Sequence, residues 1–152
     1  MESHDPDRQV GAVIADASGE VLSMGTNRPP KQMHLSADDS RLAIAGDHEW
    51  KYFMLEHAER NAIANARDSG RSLKGATIYV SLYPCANCAR AIAAAGIRRL
   101  VAPEPVIATA RDERWRADFF YAPRIFELSG VEVDFAPVSE LAGPSQGEKI
   151  AI

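Results

Sequence analysis

The chain reads as an α/β domain, and two observations carry that prediction. Short segments rich in Val, Ile and Ala alternate along the sequence with longer segments of helical period, and each change is punctuated by Gly, Pro, Asp or Ser. Strands taking turns with helices over one domain's length close as a layered structure, with helices covering a largely mixed sheet.

Taken in order, strands are expected at about Val10 to Ala15 and Val21 to Met24, joined as a hairpin through Asp16-Ala-Ser-Gly19. A polar stretch from Asn27 to Glu49 follows, with Pro29-Pro30, two histidines and Asp38-Asp39. It is long for a connection and is expected to be a binding loop or lid. Ala58, Ala62, Ile63 and Ala66 then make an apolar stripe at spacings of three and four, which predicts a helix. A strand at Ala76 to Leu82, a helix from Cys85 through Ala95 and a strand at Arg98 to Ala102 come next. A helix between Arg111 and Ser129 and a strand at Val131 to Phe135 complete a β-β-α-β-α-β-α-β order.

At 152 residues, 46% hydrophobic and 25% charged, the composition suits one globular domain with a workable core. The domain is expected over residues 1–138, and the tail from 139 to 152, with Gly-Pro-Ser-Gln-Gly, as loosely ordered. No segment approaches a membrane span and the first residues lack a signal-peptide pattern, so a cytoplasmic protein is the default expectation. The net charge of −4 counts against DNA or RNA as substrate, because a polymer backbone is bound by a basic face. It leaves a single nucleotide or nucleobase open.

Two motifs carry the chemistry, His57-Ala58-Glu59 and Pro84-Cys85-Ala86-Asn87-Cys88. They offer three soft or borderline metal ligands and one carboxylate that need not bind metal. A structural zinc site needs four protein ligands, whereas a catalytic one keeps a position open. Cys85 and Cys88 are the only cysteines, and none of His4, His34 or His48 has ligand-like spacing. The count therefore points to one zinc per chain on His57, Cys85 and Cys88, with Glu59 as the base for an activated water. Cysteines three apart after Pro84 lie on one face of a helix start, whose dipole favours thiolates. His57 and Glu59 are two apart, so His57 must sit at or just before the first turn of its own helix. Two helix starts are expected to converge on the ion.

The pair His-x-Glu and Pro-Cys-x-x-Cys resembles the signature of zinc-dependent cytidine and deoxycytidylate deaminases. Further segments resemble the deoxycytidylate branch: Asp5 to Ala15, Gly25-Thr-Asn27, Lys51-Tyr52 ahead of Glu56 to Ile63, Leu73 to Val80, and Ala91 to Arg99. The resemblance spans roughly residues 5 to 135. It implies the cytidine deaminase fold, a three-layer α-β-α sandwich around a five-stranded mixed sheet, in a homo-oligomer. It also implies hydrolysis of a cytosine amino group, dCMP to dUMP in this branch.

By the same resemblance Asn27 contacts the sugar, the backbone at Ala58 hydrogen-bonds the base, and the loop Ser81 to Pro84, with Tyr83, lines the leaving-group side. By residue type alone Asn27 also suits a turn before Pro29, and Tyr83 and Tyr52 suit a wall. The chain departs from the family at two places. Four residues precede Asp5 where members carry a helix, and Gly25-Thr26-Asn27-Arg28 replaces a Gly-Tyr-Asn-Gly tied to nucleotide binding and allosteric control, so triphosphate regulation is not expected. Arg28 and Lys31 become candidates for the monophosphate. His34 and His48 read as solvated rather than as a second metal site. The group Arg111, Arg114 and Arg116 reads as a solvated helix face rather than a phosphate clamp, with Trp115 anchoring the helix to the core.

Rival readings are a deaminase of another amino-bearing ring and a tRNA adenosine deaminase, which the Gly-Thr-Asn-Arg-Pro segment resembles. A redox dithiol at Cys85-Ala-Asn-Cys88 leaves His57 and Glu59 unexplained, and an inactive zinc scaffold completes the set.

Overall fold

The computed structural model describes residues 2–141. Its sheet has five strands in the order β2-β1-β3-β4-β5. Strands β1 (Gly11–Ala15) and β2 (Val21–Thr26) form the predicted hairpin. The Asp16 carboxylate accepts from the backbone N–H of Ser18 and Glu20, and Gly19 takes φ +90°, the positive φ that a residue without Cβ adopts freely. Strand β3 (Thr77–Val80) runs antiparallel to β1, and β4 (Arg99–Ala102) and β5 (Glu132–Phe135) continue parallel to it.

Each parallel pair needs a crossover, and helices α4 (Ala86–Ala94) and α5 (Arg116–Ser129) supply them. The α/β class and the five-stranded mixed sheet are as expected. One sheet face, carrying Ala12, Ile14, Ile78, Val80 and Leu100, is buried in the core with Ala62, Ala89, Ile92 and Phe126. The alternate residues Val13 and Tyr79 point to the other face and are half-buried.

Helix α3 (Ala58–Asp68) packs on β2 and β1 more closely than ordinary side chains allow. A Cβ at Gly25 would stand 2.2 Å from the Ala58 carbonyl oxygen and 2.4 Å from the Ala62 nitrogen, so only a hydrogen fits. Ala58, Ala62 and Ala66 present the matching small face. The Ser23 hydroxyl donates to the Ala62 carbonyl at 2.7 Å, and the Asn61 amide donates to the carbonyls of Thr26 and Arg28 at 2.9 and 3.0 Å. These bonds fix the start of α3, where His57 and Glu59 sit.

The expectation of a loop or lid from Asn27 to Glu49 is corrected. The stretch holds a single 3-10 turn at Lys31–Met33 and helix α1 (Ala37–Gly46), and α2 (Trp50–Met54) follows it. The cause is local: Ser36 and Asp39 form a reciprocal capping box, which satisfies free N–H groups at the start of α1. A last turn, α6 (Val138–Leu141), takes in residues 139–141; the remainder of the expected tail lies outside the described residues. No helix of the described residues is long and apolar enough to cross a membrane.

Candidate metal centre and substrate cleft

His57 is the N-cap of α3, in extended conformation, and Glu59 lies in that helix's first turn. Cys85 is the N-cap of α4, and its sulfur accepts from the Cys88 N–H at 3.4 Å. The two helix starts converge as their spacing required. His57 Nδ1 is 3.5 Å from Cys85 Sγ and 3.4 Å from Cys88 Sγ. All three ligand atoms lie within 4.8 Å of one another.

That geometry fits zinc. Bonds of 2.3 Å to sulfur and 2.0–2.1 Å to nitrogen at a tetrahedral ion set the sulfur and nitrogen about 3.5 Å apart. Both cysteines are free thiols, and among the described residues no fourth ligand joins them. His4 Nδ1 is bonded to the Ser40 hydroxyl, His48 lies 3.1 Å from Asp7, and His34 closes the 3-10 turn in left-handed conformation.

The three ligand side chains are strongly coupled to one another. Contact with Cys85 raises His57 to about 9. Cys85 is lowered to about 4, first by its hydrogen bond with Cys88 and then by His57, while the Cys85 contact and burial push Cys88 up. Glu59 is 4% exposed, and burial raises its carboxyl above the ordinary range. A carboxyl held out of water beside the ligands is more basic than a surface one.

The centre opens on a cleft of about 270 Å³, just below the usual size range of small-molecule pockets. His57, Ala58, Glu59 and Cys85 form one end. The rest of the wall comes from three segments distant in sequence. Lys51 of α2 is buried, 3.1 Å from Asp5 and 2.6 Å from Asp7. Arg8 is 2.8 Å from Asp112, whose carboxylate also accepts from the Thr109 N–H and hydroxyl. Arg114 lies over the Tyr52 ring at 4.0 Å.

The other residues singled out from sequence divide. Asn27 lines the cleft, but its Oδ1 accepts from Ser3 and Val10 and its Nδ2 donates to the Arg8 carbonyl. One amide hydrogen is left for a ligand. Tyr83 also lines the cleft; it is buried among Phe119, Phe126 and Phe135, and burial pushes its hydroxyl up to about 12. Arg28 and Lys31 are not brought to the cleft. Arg28 pairs its backbone with Glu56, and the Lys31 ammonium is 2.6 Å from Asp68.

Sequence reasoning missed part of the wall. Trp115, expected in the core, stands half-buried at the cleft with its ring edge-on to His57, centroids 6.1 Å apart. Arg116 does face solvent, paired with Glu113, whereas Arg114 turns to the cleft. Asp118 of α5 accepts from the Ala86 N–H at 2.8 Å and so caps the start of the cysteine helix; 32 residues separate the pair, beyond any local pattern. For Lys51 the apolar neighbours give no signal: Tyr52 and Phe53 are exposed, and Lys51 alone turns inward to Asp5 and Asp7.

Residues 1–104 match the family model described as the cytidine and deoxycytidylate deaminase zinc-binding region. The chain is 36% identical over 139 residues to an uncharacterized deaminase in the luxG 3' region of Aliivibrio fischeri, covering 91% of this chain and 86% of that one. It is 47% identical over 94 residues to the deoxycytidylate deaminase of Enterobacteria phage T2, covering 59% of this chain and 44% of the phage protein. It thus spans about half the length of such deoxycytidylate deaminases. The cyanophage S-TIM5 dCMP deaminase in complex with dCMP and dUMP superposes with a TM-score of 0.58 at 24% identity, over 84% of this chain and 80% of that one, a likeness of fold. With His57, Glu59, Cys85 and Cys88 all in the matched region, the chain belongs to the cytidine and deoxycytidylate deaminase family.

Proposed function

We propose that this chain is a hydrolytic deaminase of a cytosine nucleotide, converting dCMP to dUMP with release of ammonia. The observation that carries the reading is a buried carboxylate, Glu59, set beside a three-ligand centre at the end of a nucleotide-sized cleft. The identity to deoxycytidylate deaminases supports the choice of base.

When bound by His57, Cys85 and Cys88, zinc supplies the Lewis acidity that makes water a nucleophile near neutral pH. Glu59 takes the proton of the attacking water as its oxygen adds to the ring carbon bearing the amino group. The same carboxyl passes that proton to ring N3, then takes the remaining proton of the added hydroxyl and hands it to the amine. The carbon–nitrogen bond breaks, ammonia leaves and a carbonyl remains. The Ala58 backbone, at the first turn of α3, lines the cleft where it can bond the base. Asn27 has one amide hydrogen for the sugar. Free metal-ligating thiols suit a reducing cytoplasm, and the protein acts there as a homo-oligomer.

The test is ammonia release by the zinc-loaded chain from dCMP, CMP, deoxycytidine, cytidine, cytosine, adenosine and guanine, with Glu59→Gln as blank. Turnover of dCMP ahead of the others is expected; turnover confined to a purine would overturn the choice of base. Light scattering at micromolar concentration checks assembly, and a monomer would contradict it.

A further inference from the structure

A nucleotide brings an anion as well as a base, and among the described residues the cleft contains one cation free to meet it. Three basic side chains line the cleft: Arg8, Lys51 and Arg114. Arg8 is matched by Asp112, and Lys51, 3% exposed, by Asp5 and Asp7. Their charges are already compensated, and moving either to a ligand would strand a partly buried carboxylate. Arg111, nearby, is 4.0 Å from Asp7.

Arg114 differs from all of these. Among the described residues it forms no ion pair; its guanidinium lies over the Tyr52 ring at 4.0 Å and within 5.3 Å of the Trp115 ring. Stacking uses the face of a guanidinium and leaves the N–H groups, which radiate in its plane, available to a ligand. Trp115 is in turn the neighbour of His57, so Arg114 stands one indole away from the metal centre, at an exposed rim position. A base held at the metal end directs its sugar and phosphate outward along the cleft.

We propose that Arg114, seated over the Tyr52 ring, binds the substrate's phosphate and makes the enzyme prefer a nucleoside monophosphate over the nucleoside. This inference rests on the deaminase reading above, not on the identity of the base. It moves the anion site from Arg28 and Lys31, on the β2 side, to the segment before α5.

The experiment compares zinc-loaded wild type with Arg114→Gln and Arg114→Lys on matched pairs: dCMP and deoxycytidine, AMP and adenosine, GMP and guanosine. The pair that is turned over reports the base; the ratio within that pair reports Arg114. Wild type is expected to favour the monophosphate. Arg114→Gln should raise KM for it by about tenfold to a hundredfold, the loss of a charged hydrogen-bonding partner. Its kcat/KM for the nucleoside should stay within about twofold, and Arg114→Lys should recover part of the loss. If no pair is turned over, the same ratio is read from binding by calorimetric titration. A wild type indifferent to phosphate, or an Arg114→Gln variant that loses both members of the pair equally, would overturn the proposal.

Discussion

The two ends of the cleft are built by different means. At the metal end, four functional side chains come from two short motifs, each wrapped on a helix N-terminus, and local geometry aims them. Along the rest of the wall, Asp5 to Arg8, Lys51-Tyr52 and Asp112 to Arg114 are held together by ion pairs spanning 46 and 104 residues of sequence. In the function proposed above, the first end supplies reactivity that any amino-bearing ring could use, and the second selects the ligand. A family can therefore keep the chemistry while the wall, and the substrate, change.

If the division is right, the largest effect comes from the metal end. Glu59→Gln should lower kcat by about a thousandfold, within the range for a general acid–base group, while zinc content and melting temperature hold. A variant retaining a tenth of wild-type kcat would remove Glu59 from the role. At the wall, Lys51→Met should cost stability first. It leaves Asp5 and Asp7 without their buried cation, a loss of about 3 kcal/mol in denaturant unfolding, with KM rising as the wall loosens. Gly25→Ala should destabilise by a similar ~3 kcal/mol through overpacking, and it should lower activity too, because α3 must move and carry His57 and Glu59 with it.

A smaller effect separates the wall by pH. The Arg8 hydrogen bond, with Thr109 second, holds Asp112 down to about 2 from an ordinary 3.8. A depressed carboxylate contributes stability that is complete above the ordinary value and is lost as pH falls towards 2. Wild type should thus lose more melting temperature between pH 4 and pH 2 than Asp112→Asn, which lacks that contribution throughout; equal losses would show that the Arg8–Asp112 pair does not fasten the wall. Smallest of all, Lys31→Ala should leave KM and melting temperature unchanged, since an exposed pair with Asp68 contributes little.

The same contrast explains what was legible in the sequence. Strand alternation, helix stripes and the Asp16-to-Gly19 turn specify the five strands and helices α3, α4 and α5, but not α1, α2 or α6, and the two motifs specify the metal site, because each is a local statement about facing side chains. Helix α1 was hidden by its polar composition, with Leu42 exposed and Ile44 buried, although Ser36-Ala-Asp-Asp39 signalled its start. Arg114, Trp115 and Asp118 could not be placed, since their positions depend on how α5 docks beside α4 and on partners far along the chain. Arg28 and Lys31 were favoured because they follow Asn27, yet sequence neighbours on a turning backbone need not face the same side.

The account rests on a metal end with three protein ligands, and zinc K-edge absorption on the loaded chain tests that directly. The spectrum should show two sulfurs and a single imidazole nitrogen, with a fourth position that no protein side chain fills. A second imidazole, or a fourth protein ligand of any kind, would make the site a structural one and contradict the account.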